Sequence, residues 1–407
     1  MFSDASSSKD IRKILLIRPH LTIETYEAKS LSCPLGLGYL AAILENEGYN
    51  VMVLDCLAEG FDNEARDGGF LTYGLSLEDT KKKIESFMPE VVGVSCLFSM
   101  QFNDALSVCQ AAKEVEPKIL TVMGGNHPSV VPAQVLENLA VDFVIIGEGE
   151  KSIVELLKAL ESGRGFQRVD GLGYRENERV AVNPKTEYIH DLDKIPFPAR
   201  HLLPMDTYFL KNRPHGIMTR YALNTNMITS RGCPGGCIFC SIHSVFGRNF
   251  RSRSPENVLS EIEILKKDYG IREIQFEDDN LTFNRERARK IFEGIIGRKL
   301  GIAWTAPNGV ALWALDVEFV RLMKESGCWQ CAVAIESGNQ EVLSKIIKKP
   351  LRLERVKPLI AEMARLKIRT TAFFVIGFPG ESQRQIRDTL SYALSLSTDD
   401  LGIYFAT

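Results

Sequence analysis

The sequence has no apolar run long enough to cross a membrane, and its first ten residues, rich in Ser and Asp, lack the apolar core of a secretory leader. Those absences leave a cytoplasmic protein as the expectation. Charge of one sign is also missing: 49 Lys and Arg oppose 52 Asp and Glu, a formal net charge of -3. No broad field therefore draws the chain to an anionic membrane or to nucleic acid, and the lack of a basic groove argues against an RNA or DNA partner. Nine cysteines are an odd number and suggest no disulfide framework, which suits a reducing compartment. No G-x-G-x-x-G follows the first apolar strand, so a dinucleotide fingerprint is absent, and no Ser-His-Asp arrangement is evident. What remains, with 45% hydrophobic and 25% charged residues over 407 positions, is an ordinary globular chain long enough for two or three domains.

The densest chemistry lies at Cys233-Pro234-Gly235-Gly236-Cys237-Ile238-Phe239-Cys240, three thiols at C-x3-C-x2-C just after the strand-like run 224–229. Soft thiolates select zinc, copper or iron–sulfur centres, and a structural zinc site wants a fourth protein ligand that no nearby Cys supplies. Cys33, Cys56, Cys96 and Cys109 sit in apolar or semi-apolar context and read as small core residues, as do Cys328 and Cys331 around Trp329. Packing alone is a poor account of three thiols separated by Pro and Gly. The spacing, with an aromatic residue before the last Cys, resembles the cluster motif of the radical S-adenosylmethionine (SAM) superfamily. That resemblance implies a 4Fe–4S cluster on Cys233, Cys237 and Cys240, with one iron left to chelate SAM.

Upstream, apolar strands at 11–18, 49–55, 91–95, 119–123 and 141–146 alternate with helices expected at 30–45, 102–115 and 152–160. Near-continuous apolar strands between helices predict a parallel sheet covered on both faces, with ligands at the carboxyl ends of the strands. Glycine-rich loops fall there: Gly124-Gly125-Asn126-His127 and Gly147-Glu148-Gly149-Glu150. Together with Cys33-Pro34-Leu35-Gly36 and Tyr39-Leu40-Ala41, they resemble the Rossmann-like cobalamin-binding domain found ahead of radical SAM domains. The resemblance implies corrinoid contacts from Leu35, Ser95, Gly124, Gly125, His127, Gly147 and Glu148. It departs from the older Asp-x-His-x-x-Gly signature, since Arg18-Pro19-His20-Leu21-Thr22-Ile23 stands there, so a protein His below the cobalt is not implied. Taken without the resemblance, His127 beside Pro128 is a helix cap and the glycines are turn devices.

Downstream of the cysteines, strands at 273–277, 302–306, 330–336, 370–376 and 402–406 alternate with helices at 255–269, 285–296, 317–326, 353–366 and 382–396. With 224–229 this makes six strands, similar to the partial (β/α)6 barrel of radical SAM enzymes, truncated at strand six. The expected organisation is a disordered tail at 1–10, a cobalamin-binding domain at 11–160, a linker with a hairpin near 172–182 at 161–222, and the barrel at 223–407. Polar groups cluster at the strand ends, where barrel chemistry belongs. By resemblance, Asp278 and Asp279 lie near the SAM amino group or substrate, Glu336 and Ser337 contact its ribose or carboxylate, the Gly377 to Gly380 turn supports the adenine, and Phe239 packs near that ring. The bland reading of the acidic run 277–279 is a solvated loop.

The combined resemblance implies a cobalamin-dependent radical SAM enzyme that methylates an unactivated carbon through a 5'-deoxyadenosyl radical and methylcobalamin, with Glu336 among its catalytic residues. Cobalamin-assisted cyclisation or rearrangement, a radical SAM enzyme without functional cobalamin, and a non-enzymatic iron–sulfur module are the alternatives. A lipid, tetrapyrrole, peptide or other small molecule is the expected substrate. The expected electron donor is an external flavodoxin or ferredoxin.

Overall fold

The computed structural model describes residues 10–214 and 218–406. The tail expected at 1–10 thus lies, up to residue 9, outside the described residues. Two compact units form: one from the chain up to His190 with Lys194–Pro214 and Ser244–Gly247, the other from Asp191–Asp193, His215–His243 and the chain from Arg248 onward.

The first unit holds strands β1 (Lys13–Arg18), β2 (Leu21–Glu24), β3 (Asn50–Asp55), β4 (Glu64–Asp67), β5 (Phe70–Tyr73), β6 (Val91–Ser95), β7 (Leu120–Gly124), β8 (Phe143–Ile145), β9 (Leu172–Glu176) and β10 (Arg179–Val182). Its main sheet runs β10-β9-β8-β7-β6-β1-β3. Strands β3, β1, β6, β7 and β8 are mutually parallel, and the pair β9–β10 closes one edge antiparallel. Burial explains the sequence pattern: Leu15, Ile17, Val92 and Val144 on the strands are fully enclosed, with Ala105, Val108 and Cys109 of the helix Phe102–Val115 in the same core. Strand order reverses between β1 and β6, so their carboxyl ends flank the crevice where ligands of such sheets bind.

Three expectations need correction. The helix read at 30–45 occupies Leu35–Asn46, because Pro34 keeps the residue before it extended. The stretch read as a linker is, as far as residue 214 and apart from Asp191–Asp193, part of the first unit. Tyr208 on the helix Met205–Lys211 donates to the Asp55 carboxylate at 2.7 Å, and Pro198 lies where a Cβ on Gly38 would come within 3.0 Å. A small antiparallel sheet, β2-β5-β4, was not foreseen, although Gly68-Gly69 between β4 and β5 is a hairpin signal.

The second unit holds β11 (Asn224–Met227), β12 (Ser230–Arg231), β13 (Arg251–Ser252), β14 (Glu273–Phe276), β15 (Ala303–Ala306), β16 (Cys328–Glu336), β17 (Arg369–Ile376) and β18 (Asp400–Phe405). Six of them form one all-parallel sheet in the order β11-β14-β15-β16-β17-β18, the partial barrel that the alternation predicts. Helices Pro255–Tyr269, Arg285–Gly297, Val317–Glu325 and Gln383–Leu394 start at Ser254, Asn284, Asp316 and Ser382, whose side chains each accept the N–H three residues on. Each such cap contributes about 1 kcal/mol. Under these helices Phe292 stacks on Trp304 at 4.9 Å and also packs on Phe319, so the sheet's outer face is apolar and dry.

Candidate active site

The cysteine loop is anchored before it begins. Asp278, 1% exposed after β14, accepts from the Thr229 N–H, from the Thr229 hydroxyl at 2.7 Å and from the Ser230 hydroxyl. Burial raises its pKa, against the lowering pull of Arg287 and these hydrogen bonds. Arg287 donates to the carbonyls of Thr229 and Arg253, each at 2.7 Å, and Arg253 donates to the carbonyl of Ile228 at 3.1 Å. Two arginines and one aspartate thereby fix residues 228–230. Asp278 points into the protein, so the ligand contact implied for it finds no free oxygen face. Sequence reasoning missed both arginines, because the bonds by which they hold residues 228–230 go to backbone carbonyls that no motif records.

Beyond that anchor the chain opens. Gly232 adopts φ +81°, and the loop carries Cys233 and Cys237 half-buried and Cys240 exposed. Cys237 packs on Val342, Leu343, Ile347 and Phe378, and the Ile238 N–H donates to the Ile347 carbonyl at 3.2 Å. Burial pushes the Cys237 and Cys240 thiols up, while the Lys349 ammonium pulls both down. Gly235 N–H and Asn280 Nδ2 point at the Cys233 sulfur from 3.4 and 3.6 Å. Among the described residues, no three His, Cys, Asp or Glu side chains converge on one point as a single metal ion requires. Three thiols on one short loop without a fourth Cys beside them suit a cluster, in which each sulfur takes its own iron, better than a structural zinc ion.

Around the loop the remaining candidates divide. Asp279 makes no hydrogen bond or ion pair, and burial, then the neighbouring Asp278 charge, pushes its carboxyl up to about 7. An unpartnered, desolvated carboxylate is a receptor for a cation. Glu336 ends β16 at φ +72°, a conformation costing about 1–3 kcal/mol, where the pairing with β17 slips by one residue. Its carboxylate holds the buried Lys349 ammonium at 2.9 Å. Lys349 was not foreseen; a π-helical turn over Val342–Ile347 and Lys348 at φ +63° bring it back to Glu336. Ser337 faces inward onto Thr389 at 2.9 Å and is fully buried, so its hydroxyl serves the fold. Gly377 and Phe378 give their N–H groups to Glu381, which tightens the turn through Gly380, and Phe239 lies 5.9 Å from the Phe378 ring with 47% of its surface exposed.

In the first unit, Ser95 and Gly124 end neighbouring strands in register, and a Cβ on Gly124 would meet nothing within 4 Å. Gly125, at φ +119°, lies so close to the Cys96 carbonyl that a Cβ would sit 2.4 Å from it. His127 Nδ1 bonds the Ser99 hydroxyl at 3.0 Å, its ring is 5.0 Å from Phe102, and its buried Nε2 has no partner. Leu97, Phe98 and Met100 beside it are 46–58% exposed. Gly147 takes φ +71° after β8. This edge presents apolar side chains, the open Gly124 and one orphan imidazole nitrogen, a set that fits a broad, mostly apolar ring system with polar margins. Leu35 and Glu148 stand apart from that description: Leu35 is 5% exposed, and Glu148, 2% exposed, caps the Ile189 N–H at 2.8 Å.

A doubly wound sheet with a glycine-rich carboxyl edge, joined in one chain to a six-stranded half-barrel that opens on three loop cysteines, defines a class of two-cofactor redox enzymes. The B12 binding domain family matches residues 25–157 and the radical SAM superfamily matches residues 227–393. Cytidylyl-2-hydroxyethylphosphonate methyltransferase of Streptomyces wedmorensis is 35% identical, over 94% of this chain and 77% of that protein. An uncharacterized methyltransferase of Pyrococcus horikoshii is 33% identical, over 98% of this chain and 81% of that one. The radical SAM methyltransferase TsrM from Kitasatospora setae, solved with cobalamin and a 4Fe–4S cluster, superposes with a TM-score of 0.75 at 18% identity, over 97% of this chain and 72% of that one. The chain belongs to the cobalamin-binding radical SAM enzymes, and its cofactors are cobalamin, SAM and a 4Fe–4S cluster. No helix among the described residues is long and apolar enough to cross a membrane.

Proposed function

We propose that this enzyme transfers a methyl group to an unactivated carbon of a small acceptor. The observation that carries the reading is its resemblance, at 35% and 33% identity along more than three quarters of each protein, to two methyltransferases. The anaerobic magnesium-protoporphyrin IX monomethyl ester cyclase of Rubrivivax gelatinosus is more distant, at 27%. When bound, the cluster supplies the electron that opens SAM and the corrinoid supplies the methyl group.

Cys233, Cys237 and Cys240 hold the cluster in this reading. Asp279 accepts a hydrogen bond from the SAM amino group, which favours its ionised form. Glu336, held in its strained conformation by Lys349, takes the ribose hydroxyls. Phe239 and Phe378 flank the adenine beside the Gly377–Gly380 turn. Asp278 and Ser337 act as positioning residues, since their polar atoms are engaged within the fold. In the first unit Ser95, Gly124, Gly125, His127 and Gly147 cradle the corrinoid, with Leu35 and Glu148 supporting from behind. The cluster of three thiols and the absence of a disulfide framework in the sequence fit the cytoplasm, where a flavodoxin or ferredoxin supplies electrons.

The test is anaerobic reconstitution with iron, sulfide and hydroxocobalamin, followed by quantification of retained corrinoid and of SAM products. Retained corrinoid, with both S-adenosylhomocysteine and 5'-deoxyadenosine formed when acceptor is present, is the expected result. Formation of 5'-deoxyadenosine with neither corrinoid nor S-adenosylhomocysteine would sink methyl transfer.

A further inference from the structure

The inner face of the half-barrel is polar where barrels of this architecture are ordinarily filled with branched apolar side chains. Strand register places Asn226, Gln275, Thr305, Gln330 and Arg369 side by side across five consecutive strands. Parallel partners in register share a face, so these five form one belt around the lumen. The opposite face carries Ile274, Phe276 and Trp304, fully buried under helices. Arg369 is committed to Asp400 at 2.8 Å. The middle of the belt has no such commitment. Gln275, Thr305 and Gln330 are 1%, 4% and 8% exposed, and their side chains make no hydrogen bond. The Gln275 carbonyl oxygen is fully enclosed and unpartnered.

The enclosed Gln275 oxygen has no partner, and the Thr305 hydroxyl and the Gln330 amide beside it bond to nothing among the described residues, so the row is left for a ligand to complete. Two amides and one hydroxyl offer donors and acceptors in a row and carry no charge. We propose that the lumen takes the acceptor by a polar, uncharged portion that both donates and accepts hydrogen bonds, such as an amide, a nucleobase or a polyol, held by Gln275, Thr305 and Gln330. This rests on the methyltransferase reading and sharpens it, because a hydrocarbon or a tetrapyrrole face would leave the whole row unsatisfied.

The experiment compares the reconstituted full chain with its Gln275→Leu/Gln330→Leu double variant and with the isosteric Thr305→Val. Two probes are offered with SAM and reductant: cytidylyl-2-hydroxyethylphosphonate, and magnesium-protoporphyrin IX monomethyl ester. The double variant is expected to melt about 2–5 °C above the wild type, since an apolar replacement ends the cost of the enclosed, unpaired Gln275 oxygen, and Thr305→Val is expected to melt within about 1 °C of the wild type. Turnover of the polar probe is expected, with a KM raised about 30-fold or more in the double variant. An unchanged KM in the double variant, or turnover of the tetrapyrrole, overturns the proposal. If neither probe is turned over, the polar probe is expected to raise the melting temperature of the wild type and not of the double variant, and its failure to do so overturns the proposal. Wild-type chain that cleaves no SAM defeats the enzymatic reading separately, without touching the melting comparison.

Discussion

The carboxyl edges of the two parallel sheets meet their ligands by opposite means. In the first unit the edge is largely apolar: an open Gly124 beside the tightly turned Gly125 and Gly147, exposed Leu97, Phe98 and Met100, a half-buried His127 whose pKa is lowered by desolvation, and the Arg18 and Asp55 charges paired with each other. In the second it is charged and tense, with three thiols, a lone Asp279 and the strained Glu336 clasping Lys349. A large rigid ring is recognised by shape, so its cradle needs room more than charge. A small charged molecule such as SAM must be oriented by its ends, and in the function proposed above the fixed charges of the second edge serve that purpose.

The sharpest way to break this comparison is to remove one thiol. Cys240→Ala is expected to lower bound iron from about four to below one per chain and to abolish SAM cleavage, read by iron assay and chromatography, while corrinoid retention is unchanged. Loss of corrinoid in that variant would show that the two edges are not separable.

Asp279→Asn addresses the charge argument. It is expected to raise the KM for SAM about 30- to 100-fold, since a charge-assisted contact is lost. It also carries a pH signature. A carboxyl held at about 7 in the fold, against about 4 unfolded, binds more protons folded than unfolded. Its favourable contribution is therefore complete below about pH 4 and is lost as pH rises through 7. The Asn variant, free of that loss, should melt about 2–4 °C above the wild type at pH 8, with the gap closing towards pH 5. A gap that widens on acidification refutes the desolvated carboxylate.

The Glu336–Lys349 pair yields the next effect. Lys349→Met leaves a buried carboxylate uncompensated and should cost about 3 kcal/mol, read as a fall of roughly 6–12 °C in Tm. Adding Glu336→Gln should recover most of it, a coupling that surface pairs do not show. The smallest effect belongs to the apolar edge, where His127→Ala should weaken corrinoid retention about tenfold in equilibrium dialysis, because one contact among many is removed.

Much of this architecture was legible beforehand, and for identifiable reasons. Apolar strands alternating with helices predicted both sheets, and Cys233, Cys237 and Cys240 announced themselves by spacing. Asp278 and Asp279 were indistinguishable as letters. Only the backbone at the end of β14 turns one inward onto Thr229 and leaves the other unpartnered. Lys349 stands 13 residues from Glu336, and a π-helical turn, which no residue pattern marks, closes that distance. The polar belt was readable in principle, since Asn224-Thr225-Asn226 and Gln275 are odd residues for parallel strands, but register alone shows that they form a row.

The anchoring of residues 228–230 bears on how such enzymes are recombined. The eight residues from Cys233 to Cys240 look like a portable cassette, yet their aim is set by Asp278, Arg253 and Arg287, which arrive 13 to 47 residues after its end. A chimera built by swapping the cysteine segment alone would inherit the ligands without their bearing. The smallest exchangeable module runs from β11 through the helix Arg285–Gly297, and crossover points in a shuffled library belong outside it.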